Sequence, residues 1–567
     1  MIVDLFIANL LSDSIVVSPY LQNATPTSIV VAWETKGTNP ESTVEYGTTD
    51  ALGLSAQGES TKTVEDHLVH HVELKDLPPD TRIWYRVQTG SESHGTHVFR
   101  TPALASSERR QRFVAYSDMQ LDEANPKKHR EIVEQGIVPW SIKYANTELD
   151  AALDFVLIPG DLVSTGGNHT HWTRDFFAQG SSLFQSVPFF AAPGNHEQDH
   201  PLYFRYLDLP KNGTPGFEEH WYWTDQGNCR IIGLDTNGDY RLKEQLVWLD
   251  AVLASAAKAE HIDFVFAQFH HPHLSESWTP GETPFSTEVV EKMVRFSKAT
   301  RKPSVHFFGH THSYSRGQDR DHAHGMVNVA SGMGNPDYWW EYPQADYEEF
   351  EISTPDWGFC HVETTAGDDP TMTLRRLSRG NEFLSKDNEQ TDLFILKRYP
   401  VAPDTPRGLN PHLKSGPVPT SGAIFSGTKF QDTDAREGRN FAHESHWQIA
   451  AGGSLDDFAN PVQEDWRRYR NIWRPSNKEE GWHSVNTVLN SDVTRNVFDE
   501  PLPPNQNLFW RVRYRDENLA WSDWSQPVSF STKNSELKIA PQQRENSTKA
   551  TGQQAADQTL SRWGGPP

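Results

Sequence analysis

Phe307-Phe308-Gly309-His310-Thr311-His312 sets two imidazoles at i and i+2, just past an apolar run at 305–308 that reads as a buried strand. Imidazole is a good ligand for divalent transition metals, and a pair leaving one strand can serve two ions or one. Four further apolar runs end in the same manner. Residues 112–117 lead into Asp118-Met119-Gln120 and 155–160 into Asp161. Residues 187–194 lead into Asn195-His196-Glu197, and 264–269 into His270-His271-Pro272. The gaps between Asp118, Asp161, Asn195, His270 and His310 are 43, 34, 75 and 40 residues. Each gap is long enough for a crossover helix and the next strand. In open α/β sheets, ligands gather beyond the carboxyl ends of the strands. Five strand ends, each offering an oxygen or nitrogen donor, predict one shared metal-binding surface.

The elements that must carry these residues follow from the rest of the chain. Helical stretches at 125–150, 241–260 and 287–300 supply the crossovers. Five short strands between residues 18 and 103, separated by turn signals, suggest a β-sandwich, and its Leu-x-Pro-x-Thr-x-Tyr pattern resembles a fibronectin type III domain. Its expected role is scaffolding beside the site. Residues 399–425 carry six prolines and read as a linker or the leading edge of a third domain. Residues 426–532 read as a second fibronectin type III-like sandwich. Arg511, Arg513 and Arg515 alternate and so share one strand face. Trp521 and Trp524 are placed to stack between them as a cation–π ladder, similar to the Trp-Ser-x-Trp-Ser element of cytokine-receptor sandwiches. The expected role is structural, with a glycan or protein contact through this sandwich as the competing one. Residues 1–17 are expected to be an extension and 533–567, rich in Gln, Ser, Thr and Gly, a disordered tail. The aromatic stretch 332–356 is open between a loop at the site mouth and a packed surface loop.

At 567 residues the chain exceeds one domain, and three are expected. The formal net charge of −24 argues against binding to duplex nucleic acid or an anionic membrane. It leaves an anionic substrate open, because bound divalent cations reverse the local field. No apolar run reaches 18 residues, so no membrane span is expected. The first eleven residues lack a basic start and are interrupted by Asp4, so no signal peptide is evident and a mature or trimmed form is expected. Cys229 and Cys360 both lie in apolar runs. Two buried core thiols are expected, with a single disulfide as the alternative.

In this order and spacing, Asp118-x-Gln120, Gly160-Asp161, Gly194-Asn195-His196-Glu197, His270 and Gly309-His310-x-His312 resemble the calcineurin-like metallophosphoesterase family over residues 110–398. With an N-terminal sandwich in front, the chain is similar to the purple acid phosphatase branch. The resemblance implies a multidomain protein. Its central domain is α/β, a β-sandwich core flanked by helices, with all-β sandwich domains at both ends. It implies two divalent ions bridged by Asp161. One would take Asp118, Asp161, His312 and Gln120, the other Asp161, Asn195, His270 and His310. His270 is chosen over His271 because the family ligand stands two before the proline, here Pro272. The implied nucleophile is a hydroxide between the ions. His196 would protonate the leaving alkoxide or stabilise the phosphoryl oxygens, its tautomer set by Glu197 or another acid.

Two positions depart from the pattern. Gln120 stands where the family has His, and Ser164 where purple acid phosphatases have Tyr. An Fe(III)-tyrosinate centre is therefore not expected. The neutral amide oxygen of Gln120 is a harder, weaker ligand than imidazole, or it contacts a metal-bound water instead. Mn, Fe, Zn, Mg and Ca all stay open. His273 and His169 are further candidates for substrate contact, and for His169 a solvated loop is the competing reading. The expected activity is hydrolysis of a small phosphomonoester by a secreted, periplasmic or cell-surface enzyme. The alternatives are a phosphodiesterase acting on a cyclic nucleotide or phospholipid headgroup, and a non-catalytic binding protein on a degenerate scaffold.

Overall fold

The computed structural model describes residues 14–332, 343–473 and 486–534. Residues 1–13 of the expected N-terminal extension, 535–567 of the expected tail, and 333–342 of the aromatic stretch lie outside the described residues. Among the described residues the strands form six sheets.

Two of these are four-stranded antiparallel sheets at the N-terminus. One runs in the order Ser14–Thr25, Ser28–Lys36, His67–Leu74, Glu59–Lys62; the other Leu54–Gln57, Thr43–Gly47, Arg82–Thr89, Glu92–Arg100. The first strand starts at Ser14, so it takes in four residues of the expected extension. Strand Arg82–Thr89 alternates buried and half-buried positions, the period of a half-covered sheet. Between the sheets, Trp33, Val44, Tyr85 and Phe99 are buried, and the Trp33 indole N–H donates to Thr89 Oγ1 at 3.0 Å. The outer face of the first sheet is apolar as well: Val17, Tyr20, Ala32 and Val69 join the core of the central domain. Tyr20 donates to the Tyr206 carbonyl at 2.6 Å and packs on Phe177, ring centroids 4.5 Å apart.

The central domain is two stacked sheets. The first has the order Phe189–Ala192, Phe155–Pro159, Gln111–Ala115, Trp357–Thr364, Thr371–Gly380, Ser385–Lys397, and its first three strands are parallel. The second runs Tyr222–Gln226, Cys229–Gly233, Phe264–Gln268, Ser304–Phe308, His324–Asn328, Tyr314–Gln318, Phe350–Thr354, Asn471–Trp473, Asn486–Val488. In it, Cys229–Gly233, Phe264–Gln268, Ser304–Phe308 and His324–Asn328 are parallel. Strands Phe155–Pro159, Phe264–Gln268 and Ser304–Phe308 are buried along their whole length, as strands covered on both faces must be. Phe113 joins the sheets, with its ring centroid 5.2 Å from Phe266 and 6.0 Å from Phe307.

Helices cover the outer faces. Lys243–Lys258 and Pro284–Thr300 bury Leu249, Val252, Val289 and Met293 against the second sheet. The latter starts at a Thr283 cap, whose Oγ1 accepts from Ser286 N at 3.1 Å, with Pro284 next, where a missing N–H costs nothing. The expected helix at 125–150 is a helical run from Lys128 to Ala145, including a wide turn over Ile132–Ile137. It is closed by Asn146 in a left-handed conformation, and the short helix Leu149–Ala152 follows.

The C-terminal unit has a three-stranded sheet, Gly408–Asn410, Phe425–Gly427, Arg495–Asn496, and a four-stranded one, Gln463–Arg468, Glu444–Ala450, Asn507–Arg515, Val528–Ser531. Trp447, Trp510, Tyr514 and Phe530 are buried between them. Strand Gly408–Asn410 lies within the expected proline-rich linker, so part of that stretch belongs to the sandwich. Asn471–Trp473 and Asn486–Val488 leave the unit altogether and extend the second central sheet. The arginine–tryptophan ladder is present: Arg511 stacks on Trp524 at 4.1 Å, and Arg513 on Trp521 at 4.3 Å. Its base is sunk into the central domain. Arg515 donates to the Asp319 and His322 carbonyls at 2.8 and 3.0 Å, and Trp521 to the Arg320 carbonyl at 2.8 Å. Cys229 and Cys360 are both free buried thiols. No helix of the described residues is long and apolar enough to cross a membrane.

Candidate metal centre

Because the parallel strands of both sheets end on the same side, the loops after them converge. Three residues at these ends, Asp118, Asp161 and His310, have φ of 62°, 54° and 71°. Left-handed backbone at a non-glycine residue costs of order 1–3 kcal/mol and clusters at functional sites. It turns each side chain sharply out of its strand. Two glycines make room. A methyl on Gly309 would sit 2.5 Å from Asp118 Oδ2 and 2.9 Å from His270 Nδ1, and one on Gly194 would collide with Asp161 Oδ1 and N.

All seven expected ligands meet there. His270 Nε2 is 2.9 Å from Asn195 Oδ1, 3.2 Å from Asp161 Oδ2 and 3.2 Å from His310 Nδ1. Gln120 Nε2 is 3.2 Å from Asp161 Oδ2 and 2.9 Å from His312 Nε2. His312 Nε2 is 3.6 Å from Asp118 Oδ1. Asp161 Oδ2 is thus the shared acceptor of the cluster. The second ring nitrogen of His270 faces the Pro159 carbonyl at 3.0 Å, which leaves Nε2 for the cluster. Asp118 Oδ1 accepts from His310 N at 2.9 Å, so two strand ends of different sheets are tied together.

Burial makes the electrostatics severe. Burial pushes the Asp118 carboxyl up to about 7 against the pull of His270. It would lower His270, but the charges of Asp161 and Asp118 lift that imidazole to about 9. Burial also opposes charge on Asp161, yet His270 and His196 hold it well below the usual carboxylate range. Burial and the neighbouring His271 and His270 keep His310 neutral, the form in which imidazole binds metal. Titratable groups driven apart this far mark a functional cleft.

The residues fit divalent cations. Ligand atoms of Asp161, His270 and His310 lie within 4.8 Å of one another, and the buried Gln120 Oε1 has no hydrogen-bond partner among the described residues. Carboxylate, amide oxygen and imidazole together suit Mn, Fe or Zn.

His196 stands at the open side of the cluster, its side chain 38% exposed and Nε2 3.9 Å from Asp161 Oδ2. Its Nδ1 faces the Ser164 carbonyl at 2.8 Å. A carbonyl only accepts, so Nδ1 carries a proton and Nε2 points outward. The Asp161 charge holds this imidazole above its ordinary pKa. Glu197 therefore does not set the tautomer, contrary to expectation. Instead its buried carboxylate accepts four backbone N–H groups: Gly194 at 2.6 Å, Leu162 at 2.8 Å, Asp161 at 3.0 Å and Val163 at 3.4 Å. It clamps the two loops that carry Asp161 and Asn195. The Ser164 hydroxyl accepts from Leu121 N at 2.7 Å.

Two expected substrate contacts are corrected. His169 bonds Glu34 Oε1 of the N-terminal sandwich at 2.9 Å and packs on His67, so it seals a domain junction. His273 turns to Thr287 Oγ1 on helix Pro284–Thr300 at 2.9 Å, and burial pushes its imidazole down to about 4. One group was missed. Asn237 Nδ2 donates to the Gly194 and Pro193 carbonyls at 3.2 and 3.4 Å, and Asp235 Oδ1 holds it at 2.9 Å. Thr236 Oγ1 meets His271 Nδ1 at 3.1 Å. The signal was there: Asp235-Thr236-Asn237 follows the apolar strand Cys229–Gly233, a sixth strand end of the same kind.

Comparison with known proteins agrees with this fold. Residues 16–101 match the purple acid phosphatase N-terminal domain and residues 111–314 the calcineurin-like phosphoesterase domain. The lupin (Lupinus luteus) purple acid phosphatase PPD1 superposes with a TM-score of 0.52 at 18% identity, over 66% of this chain and 73% of that one. Among sequence relatives, "Probable inactive purple acid phosphatase 27" of Arabidopsis thaliana is 24% identical over 316 residues, half of each chain. A "Nucleotide pyrophosphatase/phosphodiesterase" of Hordeum vulgare is 22% identical over 271 residues, covering 42% of this chain and 73% of that protein. The chain spans about half the length of the Arabidopsis relative. It carries a calcineurin-like phosphoesterase domain behind a purple acid phosphatase N-terminal domain.

Proposed function

We propose that this protein is a binuclear metal-dependent phosphoesterase that hydrolyses small phosphomonoesters outside the cytoplasm. The observation that carries the reading is the single oxygen Asp161 Oδ2, 3.2 Å from both Gln120 and His270, with His196 at 3.9 Å on the open side. Asp118, Gln120, Asp161 and His312 would hold one cation, and Asp161, Asn195, His270 and His310 the other. When bound, such a pair supplies Lewis-acid stabilisation and water activation for an in-line displacement at phosphorus. The protein's own residues do the rest. Glu197 and Asn237 hold the ligand loops still. His196, fixed through Nδ1 by the Ser164 carbonyl and held above its ordinary pKa by the Asp161 charge, offers as the imidazolium an Nε2 proton to the leaving oxygen.

A second reading is a phosphoesterase scaffold that binds without turnover. The Arabidopsis relative's name, together with Gln120 in place of an imidazole, favours it. The printed name of the barley relative keeps a diester substrate open. The test is hydrolysis of p-nitrophenyl phosphate and bis-p-nitrophenyl phosphate by protein loaded in turn with Mn, Fe, Zn, Mg and Ca. Monoester turnover is expected, reduced about 10²–10⁴-fold in His196→Ala. Hydrolysis of neither ester with any metal overturns the proposal, and turnover of the diester alone moves it to the phosphodiesterase.

A further inference from the structure

We propose a separate calcium site at the junction of the C-terminal sandwich with the last strand of the central domain, built from Asp432, Asp434 and Asp516. An oxygen of each carboxylate lies within 4.8 Å of the other two. That is the span of two bonds of about 2.4 Å to one ion, the calcium–oxygen distance. The three come from two loops. Asp432-Thr433-Asp434 follows strand Phe425–Gly427, and Asp516 leaves the end of Asn507–Arg515.

An independent sign of a missing partner is buried oxygen with nothing to bond. Asp516 is 1% exposed. Its Oδ1 accepts from Asn518 N and Ala520 N, each at 2.8 Å, while its buried Oδ2 has no hydrogen-bond partner. The same holds for Asp434 Oδ1 and for the amide oxygen of Asn518, itself 3% exposed. Buried polar atoms in folded proteins are nearly always satisfied, and a buried carboxylate oxygen is the costliest exception.

The charge count points the same way. Lys397 Nζ pairs with Asp434 Oδ2 at 2.9 Å and offsets one of the three negative charges. Arg436 and Arg439 are engaged by Glu517 at 2.6 and 3.1 Å. Two negative charges remain, which one divalent cation neutralises. Every donor is a hard oxygen, with no imidazole or thiolate among them, so calcium is favoured over zinc or iron. A groove of about 440 Å³, lined by Lys397, Arg436 and Asn518, lies beside the cluster. Asp434 Oδ2 also accepts from Val401 N at 3.2 Å. The ion would therefore rivet the sandwich to the chain leaving the central domain.

The test is calcium binding to the full chain after chelation, with the central site first filled with manganese. One calcium per chain is expected, half-saturating at roughly 10⁻⁴–10⁻³ M, as in extracellular calcium modules, with a rise in melting temperature. Asp432→Asn/Asp516→Asn loses both effects. The same calcium stoichiometry in the double carboxamide variant overturns the site. Should that variant fail to fold, the titration of the manganese-filled wild-type chain decides alone: no saturable binding up to about 5 mM calcium overturns the proposal.

Discussion

Glu197 and His196 are neighbours in the chain with divided labour. The histidine is turned out to solvent and carries the proposed proton transfer. The glutamate is turned in, and its carboxylate gathers N–H groups from both ligand loops. Glu197→Gln tests that division with hardly a change in shape. An amide has one accepting oxygen, so whichever way it sits, two of the four backbone donors lose their acceptor. We expect a loss of about 1–3 kcal/mol in stability and about 10–100-fold weaker metal retention, read by thermal unfolding and by metal content after chelation. Unchanged metal content would show that the clamp does not position the ligands. The convergence of these seven residues was legible because each follows its own apolar run and needs no knowledge of its partners. His169 and His273 were misread because imidazole in a loop says nothing of where the ring turns. Glu34, which holds His169, lies 135 residues away in another domain.

At the level of elements, the centre depends on strand ends approaching more closely than side chains allow. Gly309 closes strand Ser304–Phe308 beside Asp118 and the Pro159 carbonyl, and a methyl there lies 2.5 and 2.9 Å from them. Gly309→Ala must push the Asp118 carboxylate aside. A shift near 1 Å at a reacting centre costs roughly 10² in rate. We expect the proposed hydrolysis to fall by about that factor while the melting temperature changes little, because the strand itself stays buried. A variant with full activity would mean that Asp118 has slack. The parallel strands and two of the long helices could be read from their apolar periods. The three-residue strands Asn471–Trp473 and Asn486–Val488 could not. They are too short to show a period, and Ile472 pairs with Ile352, 120 positions back.

Across the whole molecule, the C-terminal unit is joined to the central domain by buried charge. Arg316 pairs with Asp392 at 2.5 Å and Glu351 at 2.9 Å, and Arg470 with both carboxylates at 2.7 Å. Burial would raise both acids, yet the two guanidiniums hold Glu351 down at about 2 and Asp392 lower still. Since the folded pKa lies below the unfolded one, this network contributes fully above about 4.5 and is lost as pH falls towards 2. The melting temperature should drop steeply from pH 5 to pH 2.5, and less steeply in Glu351→Gln; equal slopes would exclude the network as the cause. The arginine–tryptophan ladder was foreseen as a feature of one sandwich, but its burial against the core depends on contacts such as Arg515 to His322, far apart in the chain. The strand shared between the two units also bears on how this protein can be cut. Trimming the chain after residue 398 would strip Asn471–Trp473 from Phe350–Thr354, whose five residues are all buried. The shortened protein would present an unpaired apolar edge with open backbone donors and acceptors, a template for sticking to its own copies. Light scattering should find it as growing oligomers where the whole chain stays dispersed.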